Sequence, residues 1–176
     1  MEIIFVRHTS VALDKGTCYG WTDVELSETF EQEALLTRNA LSEHAPFDAA
    51  YSSPLSRATR LAASCGYENA IIDPRLREMN MGDWEMQRFD EIVDDNLQRW
   101  YADYMNMRTT NGEGFPDVYS RVSDFLNQLK TQPHRRVVVF AHGGVLICAG
   151  IFSGIFKRED AFKNLTPFGG LLKITI

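Results

Sequence analysis

The run Val137-Val138-Val139-Phe140-Ala141 constrains this chain more than any other feature. It has no polar residue to turn toward water, and most of its side chains are β-branched. Such a strand is buried on both faces, and two-sided burial needs helices above and below a sheet. The run stops abruptly at His142-Gly143-Gly144, where the two glycines predict a turn. Ile3-Ile4-Phe5-Val6 repeats the pattern and stops at Arg7-His8. Shorter strands are expected at 48–51, 70–72 and 171–176.

Helical patterns fill the intervals. Ser27 predicts an N-cap for a helix over 28–41. A second helix is expected over 55–65, stopped by Gly66. A third spans 117–130, where Val118, Val122, Phe125, Leu126 and Leu129 form one apolar stripe. A short buried helix follows over 145–152. Residues 89–107 have helical composition and 109–114 read as a loop, so the region at about 79–115 is expected to be an insertion covering a pocket. Strands alternating with helices of this length predict an α/β domain with a mostly parallel central sheet, one domain over 1–176.

The net charge of −6 argues against general affinity for nucleic acid or anionic membranes. An anionic ligand would need a few locally placed basic residues. Cys18, Cys65 and Cys148 are odd in number and lack metal-binding spacing. With no leader-like start and no long apolar stretch, they predict a reducing, cytoplasmic setting. No metal site is expected, and a homo-oligomer is compatible with the sequence.

In open α/β sheets, ligands bind beyond the C-terminal strand ends. Two apolar strands here end in histidine, His8 and His142. A third strand leads through Ser52-Ser53 to Arg57, and the turn after Pro74 carries Glu78. A single histidine at a strand end is commonly structural. Several chemically complementary groups delivered to one rim are a different matter. Arginine's planar fork matches a phosphoryl group, a neutral imidazole is a nucleophile, and a carboxylic acid can protonate a departing oxygen.

At these residues the chain resembles the histidine phosphatase superfamily, also called phosphoglycerate mutase-like. Arg7-His8-Thr9 resembles its RHG motif. The loop from Cys18 to Ser27 resembles its glycine-tryptophan segment, and Ser53-Pro54-Leu55-Ser56-Arg57-Ala58 resembles SxLxRA. The stretch from Leu76 to Glu85 resembles LxExxxGxWE. Gly112-Glu113-Gly114 with Arg121 resembles GES…RV, and Ala141-His142-Gly143-Gly144 the second histidine motif. The motifs run in family order along almost the whole chain.

The resemblance implies a three-layer α/β/α sandwich. It implies His8 as a transient phosphohistidine, Arg7, Arg57 and His142 around the phosphate, and Glu78 as general acid. It adds Asp14, Tyr19, Gly20 and Gly143 as substrate-binding positions, and it calls for no metal or other cofactor. Asp14 stands where many members carry asparagine, and Thr9 where most carry glycine. The CYGWTDVEL loop and the GDWE segment are most similar to the α-ribazole phosphatase branch. A small-molecule phosphate ester is the partner implied. The alternatives are a broad-specificity or sugar-phosphate phosphatase and, with no extra basic cluster for a second phosphate, a phosphoglycerate mutase. Trp84 and Tyr19 are candidates to stack on a substrate ring.

Overall fold

Two parallel strands lie side by side at the centre of the computed structural model, which describes residues Met1–Ile176. They are β1 (Glu2–Arg7) and β4 (Arg136–Ala141), in register from Glu2 opposite Arg136 to Arg7 opposite Ala141. β2 (Ala49–Ser52) lies parallel on the far side of β4, and β3 (Ile71–Ile72) parallel beyond it. β5 (Leu171–Thr175) runs antiparallel along β1. The sheet order is β3-β2-β4-β1-β5.

Side-chain alternation along β1 and β4 divides the core into two layers. Ile3, Phe5, Val137 and Val139 pack with α4 (Phe115–Lys130) and α5 (Gly143–Phe152). Ile4, Val6, Val138 and Phe140 face the other way, onto α1 (Phe30–Ser42) and α2 (Ser56–Ser64). The result is the expected three-layer sandwich. The stripe Val118, Val122, Phe125, Leu126 and Leu129 is buried throughout, and each such side chain contributes about 1.5–3 kcal/mol when fully buried. No helix is long and apolar enough to cross a membrane.

Three local expectations need correction. Ser27 does not cap α1, which begins at Phe30. The Ser27 hydroxyl lies 3.0 Å from that of Thr29, which donates to Glu33 at 2.6 Å. Glu33 also accepts the Ser10 amide at 2.8 Å, so the first turn is tied to the loop after β1. Gly143-Gly144 is not a free turn but opens α5.

Within 89–107, helix forms only over α3 (Asp95–Ala102). The stretch before it pairs with an earlier loop instead: the Met86 amide donates to the Cys18 carbonyl and the Phe89 amide to that of Gly16. Asp94 then starts the helix, accepting the Asn96 amide at 2.8 Å, the Trp84 indole at 2.7 Å and the Thr110 hydroxyl at 2.5 Å.

Candidate active site

The central strands deliver both histidines to one point. The His8 amide donates to the Ala141 carbonyl at 3.1 Å, and the His8 and His142 rings are 5.2 Å apart by centroids. Both side chains are buried. His8 Nδ1 lies 2.7 Å from the Thr9 carbonyl oxygen. A carbonyl only accepts, so Nδ1 carries the hydrogen and the neutral ring presents its lone pair at Nε2. Burial, then the Arg57 charge, push the His8 pKa down to about 3, which keeps the ring neutral at physiological pH. Burial and Arg57 likewise hold His142 well below the ordinary histidine value.

Ser53 sets the other tautomer. Its Oγ accepts the Leu55 amide at 3.3 Å and lies 2.7 Å from His142 Nε2, the one acceptor within reach of this buried hydroxyl, to which it therefore donates. The hydrogen of His142 is therefore on Nδ1, which is buried without a partner.

Arg57, in the first turn of α2, is fully buried. Two of its five donors are used, on the Thr22 carbonyl at 3.0 Å and the Gly20 carbonyl at 2.5 Å. Arg7, at the end of β1, donates Nη1 to the Thr166 carbonyl at 2.6 Å and lies 4.0 Å over the Phe168 ring. The Nε atoms of both arginines are buried without partners. Three orphaned donors thus belong to side chains clustered around the open Nε2 of His8. Buried donors are rarely left unpaired, and such a group points to an anionic ligand.

Glu78 approaches from the turn after β3. Its carboxylate accepts the Met79 amide at 2.9 Å and the Gly144 amide at 3.1 Å. A Cβ on residue 144 would push against Glu78 Oε1, so glycine here leaves the carboxylate room to reach this amide. The Glu78 backbone is itself anchored, because its carbonyl accepts the Trp21 indole at 2.7 Å and Arg121 Nη2 at 2.9 Å. Arg121 also binds the Arg75 and Arg77 carbonyls and pairs with Glu113 through two contacts of 3.0 Å.

Glu85 organises the loop that holds Arg57. Its carboxylate accepts the amides of Gly20 (3.0 Å), Trp21 (2.8 Å), Thr22 (3.1 Å) and Met81 (3.0 Å). Those hydrogen bonds hold its pKa below the usual carboxylate value, against the opposing effect of burial. One carboxylate therefore fixes the carbonyls that orient Arg57 and the indole that anchors Glu78. Residue 20 must be glycine, since a Cβ there would run into the Met79 carbonyl oxygen.

A cavity of about 350 Å³ opens from this cluster. Arg7, His8, Tyr19, Glu78, Gly143 and Gly144 form its polar end. Met79, Met81, Phe89, Trp100, Tyr104, Phe115, Val118, Ile147, Phe162 and Leu165 form the rest.

Residues 3–153 match the model of the histidine phosphatase superfamily, branch 1. The chain belongs to this superfamily. The adenosylcobalamin/α-ribazole phosphatase of Salmonella typhimurium is 32% identical over 154 residues, covering 83% of this chain and 76% of that protein. Phosphoserine phosphatase 1 of Hydrogenobacter thermophilus is 30% identical over 81% of this chain and 71% of its own. Among solved structures, a Thermus thermophilus protein superposes with a TM-score of 0.78 at 28% identity, covering 98% of this chain and 92% of that one. The α-ribazole phosphatase of Shigella flexneri gives 0.87 at 24% identity over 100% and 91%, a likeness of fold.

Against this superfamily's motifs, the structure gathers most of the positions singled out from sequence. Arg7, His8, Tyr19, Glu78 and Gly143 line the cavity. Arg57 and His142 are buried beside it, and Gly20 acts through its carbonyl on Arg57. Asp14 is exposed, does not line the cavity, and contributes its backbone carbonyl to the Thr17 amide. Trp84 is not a stacking surface. It is fully buried against Cys18, Met81 and Leu97, and Trp100 takes the place at the cavity wall. Sequence reasoning gave no individual role to Ser53, Glu85, Glu113 or Arg121, although each lay inside a quoted motif.

Proposed function

We propose that the protein is a phosphomonoesterase that works through a phosphohistidine at His8, with α-ribazole 5′-phosphate as its substrate. The observation carrying this reading is the open Nε2 lone pair of His8 among three orphaned donors, Arg7 Nε, Arg57 Nε and His142 Nδ1. Two guanidinium groups and an imidazole N–H suit the equatorial oxygens of a phosphoryl group, where charge is spread during transfer.

Both steps balance with groups on this chain. His8 Nε2 gives its electron pair to phosphorus while the bond to the leaving oxygen breaks. Glu78, protonated at the start, gives its proton to that oxygen. The Met79 and Gly144 amides hold the Glu78 oxygens in place through the step. Water then attacks the phosphohistidine, Glu78 takes its proton, the P–N bond breaks and the electron pair returns to Nε2. Inorganic phosphate leaves and the enzyme is restored. Mutase chemistry would require a second phosphate to be held in the cavity, and Arg7 is the one cationic side chain lining it.

The choice of α-ribazole 5′-phosphate, and with it a place in cobalamin biosynthesis, rests on the relatives of that name from Salmonella and from Escherichia coli K12, the latter 36% identical over 57% of this chain. Phosphate release from α-ribazole 5′-phosphate by the wild type, compared with His8→Ala, tests the reading. Release no faster than the variant's refutes it. A higher kcat/KM on phosphoserine or a sugar phosphate keeps the chemistry and refutes the substrate.

A further inference from the structure

Beyond the phosphoryl end, the cavity changes character. Phe89 and Trp100 stack with ring centroids 6.3 Å apart and planes 13° from parallel. Tyr104 meets Phe162 edge-on at 4.8 Å and 85°. The first three residues come from the 79–115 segment and Phe162 from the segment before β5, so this wall is closed by two separate stretches of chain. Arg7 and Glu78 are the only charged side chains lining the whole cavity, and both sit at its phosphoryl end.

We infer that the cavity is a leaving-group subsite selective for phosphate esters of uncharged alcohols bearing a flat aromatic ring, and that Tyr104 and Phe162 are specificity-determining residues. This subsite rests on the phosphatase reading, since an ester held at His8 places its alcohol in the aromatic part of the cavity. The cavity volume of about 350 Å³ falls within the range of small-molecule pockets, roughly 300–1,000 Å³. Aromatic walls reward an aromatic guest through offset or edge-on contacts. They penalise a charged one, because a carboxylate or ammonium drawn in would lose its water and find no counter-charge. The α-amino acid end of phosphoserine would meet that penalty twice, and the carboxylate of a phosphoglycerate once.

The test compares three primary alkyl monoesters: 2-phenylethyl phosphate, O-phosphoserine and methyl phosphate. The expected kcat/KM for the phenylethyl ester exceeds that for phosphoserine by about a hundredfold. Tyr104→Ala and Phe162→Ala, both changes at partly exposed side chains, are each expected to lower the phenylethyl value about tenfold. Methyl phosphate, which has no ring to hold, stays within about twofold. Phosphoserine turned over as well as the phenylethyl ester overturns the inference. So does an equal loss on phenylethyl phosphate and methyl phosphate in both variants. Failure of the underlying reading looks different: no ester would then be hydrolysed faster by the wild type than by His8→Ala.

Discussion

The strand-end rim and the 79–115 segment meet at one cavity but are built differently. The rim stands on the larger core layer, a cluster of 19 buried residues that includes α4, α5 and alternate positions of β1 and β4. Its histidines inherit their positions from strand register, and their tautomers from Thr9 and Ser53. The segment rests on a buried cluster of four residues, its own Met81, Trp84 and Leu97 together with Cys18 of the earlier loop, plus the bonds gathered by Asp94. On the mechanism and subsite proposed above, a rigid scaffold holds the groups whose geometry must not vary between substrates, while a lightly anchored segment shapes the part that distinguishes one substrate from another.

The sharpest way to break this comparison is at the rim. His8→Ala is expected to lower kcat/KM by at least about a thousandfold on every phosphate ester, as measured by phosphate release. A loss confined to one ester would place His8 among the specificity residues instead.

Glu85 lies on the segment yet serves the rim. Glu85→Gln replaces one acceptor oxygen with a donor facing backbone amides. It is expected to cost about 10- to 100-fold in kcat/KM, as hydrogen bonds to a charged group are worth about 1.5–3 kcal/mol. Inhibition by inorganic phosphate should weaken in parallel, because the Gly20 and Thr22 carbonyls that orient Arg57 are released. Unchanged phosphate inhibition would detach Glu85 from Arg57.

Stability separates the regions next. Leu126→Ala removes a fully buried side chain of the larger cluster and is expected to cost about 2–5 kcal/mol in denaturant unfolding. Leu97→Ala, in the small cluster, is expected to cost less globally and to raise amide exchange in α3 first. Equal global losses would show that the segment unfolds with the core.

The smallest effect is a pH dependence. His8 titrates at about 3 in the folded chain, against 6.5 for an ordinary histidine. Between those values the unfolded chain binds the additional proton, so His8's share of stability is present above about 6.5 and is lost as pH falls toward 3. The fall in Tm between pH 7 and pH 5 should therefore be shallower in His8→Gln than in the wild type. Parallel profiles would contradict a neutral, desolvated His8.

The same contrast governs what the sequence made legible. Strands reveal themselves by uninterrupted apolar runs, so His8 and His142 could be located as residues that end them. Ser53, Glu85 and Arg121 could not be assigned roles that way. Their partners are backbone amides, carbonyls or a ring nitrogen far along the chain, and no periodicity encodes such pairings. The Glu85–Gly20 bond spans 65 positions and the Arg121–Arg75 bond 46. The start of the 89–107 stretch misled for a related reason: its composition is helical, but backbone pairing of residues 86–89 with the loop around Cys18 wins, and helix waits for the Asp94 cap. Trp84 had the chemistry of a stacking surface, and only packing shows that its indole is spent on Asp94.

The most direct test of the central claim is to trap the covalent intermediate. Rapid quenching under alkaline conditions during turnover, followed by peptide mapping, is expected to find a phosphoryl group on Nε2 of His8, and none in His8→Ala. Phosphate on His142 instead, or turnover with no phosphorylated histidine at any time point, would contradict the account.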